Sequence, residues 1–109
     1  MKKAIILAVV AGFAAVMTAS ADGAKDNWDN MCAKCHGADG KGQTNIGKRL
    51  GCRDYSDAKV QSSMTDDAAF KAIKEGLKNS DGKVQMKPYT TLSDDDIKAL
   101  VAFMRTFKQ

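Results

Sequence analysis

One pentapeptide, Cys32-Ala33-Lys34-Cys35-His36, constrains what this chain can fold around more than any other stretch, and its last residue is the only histidine in the protein. A C-x-x-C-H pattern reads as a site of covalent c-type haem attachment. Residues three and four apart on a helix share a face, so a helix over Met31 to His36 turns Cys32, Cys35 and His36 the same way. Two thiols can then reach the two vinyl groups on one haem edge as thioethers, while the imidazole bonds the iron. Three competing readings are weaker. A structural zinc site takes about four ligands, and outside the motif the chain offers only Cys52. A thioredoxin-like C-x-x-C needs alternating strands and helices, and no convincing strand is evident. A Cys32–Cys35 disulfide would leave the position of His36 to chance.

The chain has 109 residues, at most one small domain. Its start reads as an export signal at 1–21. Met1-Lys2-Lys3 is basic, Ala4 to Met17 is apolar, and Thr18-Ala19-Ser20-Ala21 ends in the small-x-small pattern cut by signal peptidases. The alternative, an uncleaved anchor, needs roughly 18 to 20 apolar residues. Cleavage after Ala21 would send 22–109 to the periplasm, where c-type haem is attached. The formal charge of +4 includes Lys2 and Lys3, so the exported chain carries 15 basic against 13 acidic residues. With no basic run interleaved with aromatics, a nucleic-acid partner is not expected. Three cysteines are an odd count in an exported protein. The motif uses Cys32 and Cys35, leaving Cys52 either as a buried small hydrophobe or as an exposed thiol able to join two copies of an otherwise monomeric protein.

Along the exported chain the periodicity is helical. Asp22 to His36 is the first helix, with Ala24, Trp28, Met31, Cys32 and Cys35 on one stripe. Gly37 to Gly51 reads as loop and lacks the spacing of a phosphate-binding turn. Its glycines let the backbone lie close to a flat cofactor and bring a carbonyl to the ring N–H of His36. Arg53 and Tyr55 are donors suited to a haem propionate, though the same residues would serve in a solvated turn. Asp57 to Ser63 suits a short helical piece. Thr65 or Asp66 can cap a helix carrying Phe70, Ile73 and Leu77, with Gly76 as its stop. Lys78 to Thr91 reads as irregular, with a turn at Asn79-Ser80-Asp81-Gly82. Ser93 and Asp96 form a capping box before the apolar face Ile97, Leu100, Val101, Phe103, Met104 and Phe107. The pieces make a single all-α domain with three to four short helices.

Given one haem, its iron needs a ligand on the side away from His36, and with no second histidine the choice falls on methionine. Met31 adjoins the attachment site and cannot reach around the ring, and Met104 suits the last helix's core face. Met64 lies in a polar turn and is the reserve. Met86 is the best candidate, in a loop far from His36 and stiffened by Pro88.

In this order of motifs the chain resembles the small bacterial class I cytochromes c. The likeness rests on Cys32 to His36, on Gly37-Ala38-Asp39-Gly40-Lys41-Gly42, on Met86-Lys87-Pro88-Tyr89, and on Leu100-Val101-Ala102-Phe103-Met104. It implies a cytochrome c fold in which the first and last helices cross, bringing Trp28 to Leu100 and Phe103. It also implies a six-coordinate haem with one edge exposed, serving as a one-electron carrier rather than an enzyme. Two departures stand out. Many relatives use a proline carbonyl to receive the histidine N–H, but the only proline here is Pro88, which transfers that role to a carbonyl near Thr44 to Ile46. Cys52 lies outside the family pattern.

The expected function is therefore a shuttle between protein redox partners in a respiratory or related pathway. Lys34, Lys41, Lys48 and Lys87 could steer an acidic partner, or serve only solubility. The rival is a haem sensor or small peroxidase-like protein with an open distal site.

Overall fold

A computed structural model describes residues 21–109, with side chains from Gly23 onward. The expected export signal lies, apart from Ala21, outside the described residues. The first helical run is continuous but changes gauge. An α-helix at Ala21–Asn27 (α1) passes into a π-helical turn at Trp28–Cys32, then back to α-helix at Ala33–His36 (α2). The expected stripe points inward, with Ala24, Trp28 and Cys32 buried and Met31 and Cys35 partly so.

The stretch from Gly37 to Gly51 is not loop throughout, because Asn45–Leu50 forms a short helix, α3. Thr44 caps it by accepting the Gly47 N–H at 2.8 Å. Gly47 masked the helix in the sequence, since glycine disfavours helix interiors. A Cβ there would meet the Cys35 carbonyl oxygen and sit 2.7 Å from that of Gly42, so close packing of α3 on α2 requires glycine.

Ala58–Ser63 (α4) starts at the Asp57 cap, and Asp66–Glu75 (α5) starts at Thr65, whose hydroxyl accepts the Ala68 N–H. Gly76 ends α5 as expected. The segment after it corrects the expectation of irregular chain and no strand. Leu77–Lys78 (β1) and Val84–Met86 (β2) pair antiparallel, with a register irregularity between Leu77 and Lys78. Strands of two and three residues are too short to show alternation. Their turn was legible: Asn79 Oδ1 accepts the N–H groups of Asp81 and Lys83, each at 3.0 Å.

The last helix, α6 at Asp94–Arg105, has both halves of its capping box. Asp96 N–H donates to Ser93 Oγ at 3.1 Å, and Ser93 N–H to Asp96 Oδ2 at 3.3 Å. It packs on α1 and on α5. Trp28, Ile97 and Leu100 are the most deeply buried large side chains, joined in the core by Cys32, Ala69, Ile73, Val101 and Met104. The expected meeting of the terminal helices thus occurs, with the Trp28 ring 6.0 Å from Phe103 and 5.0 Å from Phe107. Gln61 is the buried polar residue in the described core. Its amide donates to the carbonyls of Tyr55 (2.7 Å) and Met104 (2.9 Å), and Arg105 closes the network by donating to Gln61 Oε1 at 2.9 Å and to Asp66. Both polar atoms of the Gln61 side chain are thereby satisfied, as burial demands. No helix among the described residues is long and apolar enough to cross a membrane.

Candidate haem site

The attachment helix ends at His36, and its free carbonyls are taken up by the chain that follows. Gly37 N–H donates to the Ala33 carbonyl (2.8 Å), Gly42 N–H to that of His36 (2.8 Å), and the Thr44 hydroxyl to that of Cys35 (2.6 Å). A helix end left without such partners is costly when covered. Trp28 Nε1–H adds a buried bond to the Gly37 carbonyl at 2.9 Å. The glycine-rich stretch therefore acts as a C-terminal clasp on the helix that carries the motif.

Cys32, Cys35 and His36 line one cleft of about 500 Å³, within the size range of pockets that hold flat multi-ring ligands. Neither thiol is in a disulfide. Burial, and then the neighbouring Cys35, push the Cys32 thiol up to about 11. The His36 ring stacks on Tyr55, with centroids 5.5 Å apart and planes at 30°, and lies 5.6 Å from Trp28. Burial lowers its pKa, which keeps the imidazole in the neutral form that binds metal.

The expectation that a carbonyl near Thr44 to Ile46 receives the His36 N–H is not met. The His36 Nδ1 atom is buried with no hydrogen-bond partner among the described residues. The reason is α3: the Thr44 carbonyl accepts the Lys48 N–H at 2.9 Å, so this part of the chain spends its acceptors on its own helix. A buried nitrogen left without a partner costs about 1–3 kcal/mol.

Met86, Met31 and Met104 line the cleft. Met31 sits in the π turn and Met104 is buried on α6. Met64 packs against the core away from the cleft, where its carbonyl accepts from Arg105. Met86 closes β2 rather than lying in an irregular loop, and the chain behind it rests on Gly76. A Cβ on Gly76 would stand 2.5 Å from the Met86 carbonyl oxygen and 2.9 Å from Pro88 N, at φ +78. Arg53 and Tyr55 both border the cleft, as do Lys34 and Lys87, whereas Lys41 and Lys48 do not. Cys52 lies on the cleft wall, half-buried, and burial followed by the nearby Cys35 raises its pKa.

Two residues have structural roles that the sequence does not display: Tyr89, visible there only as the end of the Met86-Lys87-Pro88-Tyr89 stretch, and Gln61. Tyr89 donates its hydroxyl to the Met31 carbonyl at 2.8 Å, and Gln61 ties α4 to the end of α6. Neither has a local signal, because each partner is distant in the chain.

The residues present fit a covalently held haem: two unpaired thiols and a neutral, orphaned imidazole share one largely apolar cleft with a thioether. No group of three or more His, Cys, Asp or Glu side chains among the described residues is placed to hold a bare ion. Comparison with known proteins agrees. The family described as cytochrome c oxidase, cbb3-type, subunit III matches residues 19–104. The structure is similar to that of the KustC0563 c-type cytochrome, with a TM-score of 0.68, 32% identity, and coverage of 79% of this chain and 98% of that one. A point mutant of the same cytochrome gives a TM-score of 0.65 at 32% identity, covering 78% of this chain and 98% of its own. No curated protein matches. With its thiols, imidazole and terminal-helix crossing in place, the chain belongs to the cbb3-type cytochrome c family, small c-type cytochromes that bind haem covalently and transfer electrons through it.

Proposed function

We propose that the protein is an exported, periplasmic one-electron carrier with one haem per chain, which Cys32 and Cys35 would link covalently and whose iron His36 and Met86 would ligate. The observation that carries this reading is the shared cleft: the attachment motif and Met86 line the same 500 Å³ space, and Met64 does not. When bound, the haem supplies reversible exchange between ferric and ferrous iron.

The chain's own residues set the conditions. His36 offers a nitrogen held neutral by burial, and a thioether ligand favours the reduced state relative to harder donors. Trp28, Leu100 and Met104 exclude water from the inner part of the cleft, which further disfavours the more highly charged oxidised form. Arg53 and Tyr55 are donors available to the propionates. Lys34 and Lys87 border the cleft mouth and would favour donor and acceptor proteins with acidic docking faces. Export with cleavage near Ala21 places the chain where such partners and the attachment machinery meet.

The test is a redox titration of haem-loaded protein followed by absorbance. A reversible one-electron wave, with the near-infrared band of a methionine–iron bond in the oxidised protein, is expected. Met86→Ala should abolish that band, and Met64→Ala should leave it. A high-spin spectrum that shifts with carbon monoxide in the wild type would refute the carrier.

A further inference from the structure

We propose that Tyr89 is a positioning residue for the methionine ligand, latching the chain after Met86 to the helix that carries Cys32, Cys35 and His36; this rests on Met86 being the sixth ligand. The Tyr89 hydroxyl donates to the Met31 carbonyl at 2.8 Å, across 58 residues of sequence. Met31 belongs to the π turn, and such a widened turn occurs at functional sites more often than elsewhere. The Tyr89 backbone N–H donates to the Ile73 carbonyl of α5 at 3.0 Å. One residue is thus bonded to both bodies that line the cleft. The Lys87 ammonium lies 5.5 Å above the ring.

The other anchors of this segment run to the end of α5. Gly76 admits the Met86 and Pro88 backbone, and β2 pairs with β1 immediately after that glycine. A hairpin of this size is marginal by itself, and Leu77 and Val84 on it are 50% and 56% exposed. Without the hydroxyl, hairpin and loop can move as a unit with α5, carrying the thioether away from the attachment helix. With it, the distance between the two ligand-bearing segments is fixed by a hydrogen bond rather than by haem alone.

Tyr89→Phe keeps the ring and removes only the bond. The probe is imidazole added to oxidised, haem-loaded protein, since it enters the sixth position only when the methionine leaves. The worth of one partly buried hydrogen bond corresponds to roughly threefold to tenfold faster imidazole association. The latch also requires faster amide hydrogen exchange at Met86 and Lys87, with an unchanged urea midpoint for global unfolding. Imidazole association equal to wild type would overturn the proposal. So would an acceleration fully matched by loss of global stability, the outcome of a merely structural role. Met86→Leu, run alongside, separates the two ideas: if it keeps the methionine–iron band, the ligand assignment itself is wrong, whereas loss of the band together with an indifferent Tyr89→Phe refutes the latch alone.

Discussion

The wall of the cleft that carries Cys32, Cys35 and His36 is one helical run, buried along its inner face, packed on α6 and clasped by the chain that follows it. The wall that carries Met86 is a hairpin of two- and three-residue strands with two exposed apolar side chains. Stability is not uniform across a fold, and regions with few buried contacts open first. The difference means that the attachment side can be lost only with the core, whereas the methionine side can leave and return while the rest stays folded. A carrier gains from that division: the covalent side holds the cofactor through every cycle, and the labile side sets which oxidation state is favoured.

The comparison can be broken at graded cost. Replacing both Cys32 and Cys35 by alanine has the largest expected effect, with complete loss of haem colour from the denatured chain on a gel. Next is Leu100→Ala, at a fully buried position on α6. It should cost about 2–5 kcal/mol in urea unfolding, lowering both walls together because α6 packs on α1 and α5 alike. Gly76→Ala should instead separate them. Its Cβ meets the Met86 carbonyl at a positive φ, a strain of about 1–3 kcal/mol, and the methionine–iron band should weaken while helical circular dichroism persists. A drop in helix content equal to the drop in that band would show that the two walls are one unit. Ser93→Ala should have the smallest effect, about 1 kcal/mol in unfolding free energy from loss of the α6 cap, with the band intact under native conditions.

What could be read from the sequence follows the range of the interactions. The attachment motif, the α6 capping box and the Asn79 turn are local patterns, and each stands where its residues placed it. Met86 was singled out by elimination among methionines, and it does line the cleft, although in a strand. The helix at Asn45–Leu50 escaped notice because Gly47, unfavourable for helix formation, is demanded by the Cys35 carbonyl of another element. The orphaned nitrogen of His36 follows from that same hidden helix. Tyr89 with Met31, and Gln61 with Arg105, are pairings between distant segments that no window of sequence displays.

The π turn carries a consequence for the length of the first helix. Ala33 N–H bonds the Trp28 carbonyl five residues back, so Trp28–Cys32 holds one residue more than an α-helical turn needs. Each helical residue rotates the chain by about 100°. With the same five residues wound as regular α-helix, everything before them would swing through about that angle. The indole would leave Phe103, Phe107 and the Gly37 carbonyl, although all five residues of the haem motif were unchanged. The π turn is in that sense a phase setting, and a one-residue deletion within it, which an α-helical turn absorbs, should be tolerated better than a one-residue insertion.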